Sequence, residues 1–432
     1  MSRYSMPKSI HDLIPGGGHT YSKGDDQFPS NAPRFLERGE GAYVWDDQGK
    51  RYLDWTMGLR TMALGYGYKP VIEAAVRQIW KGSNFGRPSR IELEAAEDVL
   101  EVLPNADMVK FAKNGSNVTT AALKLARAYT GRELVAVCAD HPFFSFDDWF
   151  IASTPCDSGI PLSTREQIKT FRYNDLDSVE RLFSEFGTEI AALMMEAATS
   201  HPPNNNFLHA VSDLCRKNGV VFILDEMITG WRWHLGGAQT YFDIEPDLSA
   251  FGKAMGNGFA IAAVVGKREI MELGGLHHDK DRVFLLSATH GAETHSLAAA
   301  RAVIKTYREQ PVIERIWQAG KGLVESLNSA ARDAGLSDHF EAFGYPCSPN
   351  FSCKDGNRVQ SAEFCTLFLQ EMVRNNVLIN YIAPSFAHGA QEIEATAEAA
   401  RNSFKVYVRA LSDGVCKHLH GPPIKPVFRA RN

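Results

Sequence analysis

Two hydrophobic periods alternate along the middle of this chain. From about residue 70 to residue 300, short continuous apolar runs are separated by stretches in which apolar residues recur every three or four positions. The first kind reads as buried strand, the second as amphipathic helix. Strands are expected at residues 108–111, 134–137, 190–195, 220–224 and 260–265, and helices at 71–80, 91–103, 118–129, 176–186, 208–218 and 296–304. Strands alternating with helices predict an α/β fold with a mostly parallel sheet covered on both faces. After about residue 310 come longer amphipathic helices, 312–331, 361–375 and 391–411, around shorter strands, which predicts a smaller α+β lobe. The first 55 residues are rich in Gly, Pro and Asp and carry one hairpin signal, residues 41–45 and 51–55 about the turn Asp46-Asp-Gln-Gly49. The expected division is an N-terminal segment, 1–65, contributing to the small domain and the substrate entrance, a large domain, 66–305, and a C-terminal small domain, 306–432.

Composition narrows the class. The chain is 44% hydrophobic and 22% charged, as in ordinary globular proteins. A net charge of -5 offers no basic footprint, so no nucleic-acid partner is expected. No stretch approaches the ~18 apolar residues of a membrane span, and the first residues lack the apolar run of a signal peptide, so a cytoplasmic protein is expected. Seven scattered cysteines, without histidines at zinc spacing, read as reduced thiols, and no metal site is expected. Asn114-Gly-Ser and Asn117-Val-Thr match a glycosylation acceptor, a pattern that carries little weight without a secretory signal.

The candidate chemistry begins where the run 220–224 ends on Asp225-Glu226, and where, 28 positions after Asp225, Lys253 stands in the small-residue turn Phe251-Gly-Lys-Ala-Met-Gly-Asn-Gly258. A carboxylate at the end of a buried strand and a lysine in a tight turn are what pyridoxal phosphate needs: the lysine to form a Schiff base and the carboxylate to keep the pyridine nitrogen protonated. Taken singly, a helix cap and a surface lysine account for them more simply. Substrate sites in such sheets lie at the carboxyl ends of the strands, where both residues fall. Gly115, Ser116 and Asn117 lead from a strand into an Ala-rich helix and suit a phosphate cup; an empty Asn/Ser cap is the plainer account. Thr289, in a polar loop, offers the phosphate a further hydroxyl, and Phe143 and Phe144, in His141-Pro-Phe-Phe144, offer a ring to stack on the cofactor or to fill a core.

With these residues in place, the chain resembles the class III, fold-type I pyridoxal-phosphate aminotransferases, and within them the branch of glutamate-1-semialdehyde 2,1-aminomutase. Pro15-Gly-Gly17, Leu36-Glu-Arg-Gly-Glu-Gly-Ala-Tyr-Val-Trp-Asp46, Leu123-Lys-Leu-Ala-Arg-Ala-Tyr-Thr-Gly-Arg132, Asp225-Glu-Met-Ile-Thr-Gly230, Leu235-Gly-Gly-Ala-Gln239 and Pro246-Asp-Leu248 carry the likeness, over residues 10 to 410. The resemblance implies a large cofactor-binding domain around a seven-stranded sheet. It implies pyridoxal 5'-phosphate as cofactor, Lys253 as Schiff-base lysine, Asp225 as pyridinium partner, and Gly115, Ser116 and Asn117 as the phosphate loop. Glu196 matches the family's glutamate near the cofactor. Thr289 resembles the threonine that reaches the neighbouring subunit's phosphate, which implies a homodimer.

The departures bear on substrate. His141-Pro-Phe-Phe144 replaces the family's Tyr-His pair, leaving Phe143 or Phe144 to stack. The aminomutase arginine that grips the substrate carboxylate falls near Lys23, beside Tyr21, and its acidic gate residue falls at or near Asn380. Arg87 and Arg90 are additions that suit a carboxylate or phosphate, or a solvated helix lead-in. The first expectation is an aminotransferase moving an amino group from a glutamate-like donor to a keto or aldehyde acceptor such as a keto sugar. The second is an intramolecular aminomutase, which must retain its intermediate behind a gate. A racemase or epimerase, with His290 or Tyr21 as second base, is a third, and a cofactor-binding protein without catalysis a fourth.

Overall fold

The computed structural model describes residues 9–141, 143–204 and 206–431; the start of the N-terminal segment and Pro142 of the His141-Pro-Phe-Phe144 run lie outside these residues. Among the described residues thirteen strands form three sheets, and the largest has seven. Chain order gives β1 (Leu36–Glu40), β2 (Tyr43–Asp46), β3 (Arg51–Asp54), β4 (Met108–Ala112), β5 (Leu134–Cys138), β6 (Ile168–Phe171), β7 (Ile190–Met195), β8 (Val221–Asp225), β9 (Leu248–Phe251), β10 (Ala262–Gly266), β11 (Phe340–Tyr345), β12 (Ser348–Cys353) and β13 (Val377–Leu378). The seven-stranded sheet runs β4-β10-β9-β8-β7-β5-β6. All its pairings are parallel except those of β10, which is antiparallel to both β4 and β9.

The sheet is buried along its five central strands, which are almost wholly apolar on both faces, while the edge strands β4 and β6 carry Lys110 and Lys169. Val135, Val137, Ala192, Met194, Val221 and Ile223 join the core on one side, with the helix Gly115–Thr130. Their alternate neighbours Ala136, Cys138, Leu193, Met195, Phe222 and Leu224 join the core on the other. That is the period of two that a pleated strand imposes. The helices stop where the sequence permits a left-handed residue: Gly131 at φ 69° closes Gly115–Thr130, and Gly219 at φ 62° closes Phe207–Asn218.

The N-terminal segment builds a second sheet, β1-β2-β3-β13, in which β3 runs parallel to β13 near the far end of the chain. Trp55 sits at the end of β3 in one core with the long helices Val312–Asp333, Ala362–Arg374 and Ala390–Asp413. β11 and β12 form the third sheet, an antiparallel hairpin packed on Val312–Asp333. The contact is tightest at Gly320, where an added Cβ would stand 1.6 Å from the Pro346 carbonyl oxygen.

Two sequence expectations shift here. The helix expected from residue 118 starts at Gly115, because Asn114 caps it by accepting from the Asn117 N–H at 3.0 Å. The hairpin expected near residues 41–55 is present as β2 and β3, with β1 added outside it, an edge strand whose side chains are mostly exposed and charged and so give no apolar signal.

Gly320→Ala is expected to destabilise the protein by about 2 kcal/mol, since backbone must move to admit the methyl. Gly86→Ala, at a site where the Cβ would meet nothing within 4 Å, is expected to be neutral. Denaturant unfolding of the two variants checks this.

Candidate active site

Three adjacent strands deliver the chemistry to one edge of the sheet. β7 ends into Glu196, β8 ends on Asp225, and β9 ends into Gly252-Lys253. Register places Met195 beside Leu224 and Asp225 beside Ala250, so the groups stand side by side at the carboxyl ends.

Asp225 is 1% exposed. Its Oδ1 accepts the Met227 N–H at 2.8 Å, while its Oδ2 is buried with no partner. Burial pushes its carboxyl up to about 7, opposed by the Met227 N–H and by Lys253. Glu196 is pushed up to about 8 by burial first and by Asp225 next, with Lys253 and Arg60 pulling the other way. Lys253 is driven below the ordinary lysine value by burial, while Asp225 and Glu196 favour its charged form. A lysine that loses its proton readily is one prepared for covalent chemistry. Its backbone is held at φ 45°, in the left-handed region that a side chain rarely adopts. Gly252 before it passes so close to Met227 that a Cβ would meet the sulfur at 2.8 Å. Glu226, next to Asp225, has a different role: it accepts from the Ala238 and Gln239 N–H groups at 2.9 and 2.8 Å and folds the 226–239 loop back on itself.

At the phosphate cup, Ser116 is buried and its Oγ accepts the Phe146 N–H at 3.0 Å, leaving the hydroxyl proton to donate elsewhere. The Asn117 N–H is taken by the Asn114 cap, so the first-turn donors at Gly115 and Ser116 face outward from the helix start. Phe143 is 45% exposed and stacks on Phe428, ring centroids 6.4 Å apart. Phe144 is 1% exposed and packs edge-on against Phe150, with its carbonyl accepting from Thr119 Oγ1 at 2.8 Å. Phe143 therefore has a free face, and Phe144 is core.

The remaining sequence candidates lie further out. Thr289 is exposed, its carbonyl held by Asn84 Nδ2 at 3.0 Å. Tyr21 and Lys23 are exposed on a short turn, and Arg87 and Arg90 are exposed, Arg90 with Glu94 at 3.3 Å. Asn380 donates from Nδ2 to the Gln27 carbonyl at 2.7 Å, which ties it to the N-terminal segment.

Sequence reasoning passed over Arg232 and Arg60, and gave His141 no role of its own. His141 is buried and accepts the Glu196 N–H on Nδ1 at 3.1 Å; burial holds it neutral, down to about 4. Arg232 is fully buried between Trp231 and Trp233, an apolar setting that could have marked it as a core arginine, and it donates to the carbonyls of Cys347, Pro384 and Arg60. Arg60 ends a turn, Met57–Arg60, whose four residues all have positive φ, at 44°, 57°, 59° and 73°. That left-handed turn costs about 1–2 kcal/mol for each of its non-glycine residues. Asp54 offsets part of it by accepting from the Thr56 and Met57 N–H groups. No periodic signal marks such a turn.

The comparisons with known proteins follow this geometry. The family model described as "Aminotransferase class-III" matches residues 26–371. The chain belongs to that family. It is similar to a glutamate-1-semialdehyde 2,1-aminomutase of Desulforamulus reducens, 31% identical over 93% of this chain and 96% of that enzyme. It is also similar to one of Chloroflexus aurantiacus, 36% identical over 63% of this chain and 65% of that enzyme. Among solved structures, the FumI protein of Sphingopyxis, in its PLP internal aldimine form, superposes with a TM-score of 0.84 at 26% identity, covering 93% of this chain and 95% of that one. The aminomutase of Pseudomonas aeruginosa shares the fold, with a TM-score of 0.79 at 19% identity over 92% of each chain. This class III chain is thus a pyridoxal-phosphate enzyme of fold-type I. Its residues fit the cofactor: the orphaned Asp225 Oδ2 is an acceptor waiting for a ring N–H, and Lys253 is an amine shifted toward its neutral form. When bound, the cofactor supplies an aldehyde that captures amines and a ring that takes up the electrons released at the substrate carbon.

The raised carboxyls set a pH dependence. In the unfolded chain Asp225 and Glu196 titrate near 4; in the fold they do so at about 7 and 8. Between those limits the cofactor-free fold binds more protons than the unfolded chain, so these groups make stability fall as pH rises toward 8. His141, depressed, acts oppositely, but only below the ordinary histidine value of about 6.5. The urea midpoint of the cofactor-free protein is expected to drop more between about pH 6.5 and pH 8.5 than that of Asp225→Asn. An equal drop in both proteins would contradict the assignment.

Proposed function

We propose that the enzyme moves an amino group within a small amino-carbonyl substrate, in the manner of the glutamate-1-semialdehyde 2,1-aminomutases. The observation that carries this reading over other class III activities is the full-length likeness to the Desulforamulus reducens aminomutase. Lys253 holds the cofactor and then, released by the incoming amine, moves the proton at the substrate carbon. Asp225 sustains the ring's protonation through its unpartnered oxygen. Gly115, Ser116 and Asn117 hold the phosphate, Phe143 stacks on the ring, and Glu196, held by His141 through its backbone, lies beside the ring-binding carboxylate. Thr289, exposed in its loop, completes the phosphate site of a second subunit in a homodimer.

A second reading keeps the chemistry and changes the partners: transfer from a glutamate-like donor to a separate keto or aldehyde acceptor, such as a keto sugar. The entrance favours it. Asn380 is bound to the Gln27 carbonyl where an acidic gate residue is expected, and Lys23 and Tyr21 stand exposed. The comparisons support the first reading more strongly, because the curated relatives at 31% and 36% identity carry the aminomutase name.

Borohydride reduction followed by peptide mass spectrometry is expected to find the cofactor on Lys253, and Lys253→Ala to leave none bound covalently. Asp225→Asn is expected to keep the cofactor but to lower turnover at least about a hundredfold. Supplying one amino-carbonyl compound labelled with heavy nitrogen, with no added acceptor, separates the readings. Label that shifts position within the same molecule supports the aminomutase. Turnover that begins only when a keto acid or keto sugar is added replaces it with the aminotransferase.

A further inference from the structure

Amino-group chemistry beside Lys253 requires something to hold the substrate's own charge, yet Tyr21, Lys23, Arg87 and Arg90 all stand exposed at the surface. Arg60 does not. It is half-buried at the end of the left-handed turn Met57–Arg60, and the chain immediately after it packs on the Lys253 turn. The Leu64 N–H donates to Asn257 Oδ1 at 2.8 Å, Asn257 Nδ2 donates to the Gly65 carbonyl at 3.1 Å, and the Met62 sulfur lies where a Cβ on Gly258 would meet it at 2.9 Å. Backbone strain held in place this firmly is characteristic of functional sites.

The guanidinium itself is underused. Of its five N–H donors, Nη1 bonds Ser348 Oγ at 2.6 Å, and among the described residues its side chain has no other hydrogen bond and no carboxylate within 4 Å. Arg232 shows the contrast, since three backbone carbonyls occupy its fork. Arg60 lies within charge range of Glu196, Tyr381 and Lys253; burial and the nearby Arg232 pull it down to about 10, which leaves it cationic at neutral pH. Ser348, at the start of β12, fixes one edge of the fork and leaves the other open. A planar fork with a free edge suits a carboxylate, which binds it through two parallel hydrogen bonds.

We propose that Arg60, oriented by Ser348 on a strained left-handed turn, grips the carboxylate of the amino-acid substrate; the inference rests on the amino-transfer reading above. It places the substrate's anion under the N-terminal segment and away from the exposed cations at the entrance. Ser348 is then a positioning residue.

The test uses the holoenzyme and three variants, Arg60→Gln, Arg60→Lys and Ser348→Ala. The lysine-bound cofactor's visible band is recorded first. The rate at which α-amino acids, and the matching primary amines without a carboxylate, discharge that band is then followed in single half-reactions. Arg60→Gln is expected to raise the apparent Kd for amino acids about tenfold to a hundredfold, with a smaller rise for Arg60→Lys and Ser348→Ala, while the amines change little. Propionate, a carboxylate without an amine, is expected to compete with amino acids in the unaltered enzyme and not in Arg60→Gln. Equal losses for amines and amino acids, or undiminished competition by propionate, overturn the proposal. If Arg60→Gln does not fold, the unaltered enzyme decides, because absence of competition by propionate overturns the proposal by itself. If no band forms even with added cofactor, the amino-transfer reading fails separately. A propionate-induced rise in the Tm of the cofactor-free protein, smaller in Arg60→Lys and absent in Arg60→Gln, still reports on Arg60, and its absence from the unaltered protein counts against the proposal.

Discussion

Taking a carboxylate out of water costs several kcal/mol unless charge or hydrogen bonds replace what water supplied. Asp225 is in that position at the end of β8, with one oxygen satisfied by the Met227 N–H and the other by nothing in the chain. The neighbouring groups share the constraint. Glu196 is raised by burial first and by Asp225 next, Lys253 is held closer to neutrality by burial, and both follow strands that are buried along their whole length. The mostly parallel sheet makes this possible by setting three strand ends abreast. The site is therefore incomplete as a protein alone: a bound cation opposite Asp225 restores what burial removed.

The second constraint is geometric. Lys253 and Arg60 both hold backbone angles that side chains avoid, and each is pinned by neighbours that cannot easily give way. Met227 fills the space over Gly252, so the turn carrying Lys253 has little room to relax. Asn257 stitches that turn to the segment following Arg60, and Asp54 anchors the turn before it. The N-terminal segment is thus part of the site's scaffold, tied to β13 through β3 and to Asn380 through the Gln27 carbonyl.

The sequence was legible where chemistry and burial coincide. β7 and β8 are unbroken apolar runs, and Asp225 and Glu196 follow them directly, so strand and functional residue appear together. The long helices of the C-terminal part showed through their apolar spacing within a few residues of their ends. What stayed hidden depended on long-range contact. β13 is two residues long and exists because β3 pairs with it. Phe143 and Phe144 are adjacent and equally aromatic, and only packing distinguishes the exposed ring from the core one. Arg60 sits in a turn with no period at all, and its meaning comes from Ser348, nearly three hundred residues later.

The residues beyond the last long helix also reach the site. The Lys425 N–H donates to the Asp26 carbonyl, Gln27 Nε2 returns a bond to the Lys425 carbonyl, Arg429 pairs with Asp26 at 2.5 Å, and Phe428 lies on Phe143. During synthesis this stretch leaves the ribosome after every other part of the cleft. Every strand of the sheet that carries Asp225 and Lys253 lies before residue 267, but the wall beside Phe143 needs Phe428. A chain cut before residue 428 would hold the ionisable groups with that aromatic face uncovered, so the wall beside Phe143 is built by residues that belong to neither the sheet nor the long helices.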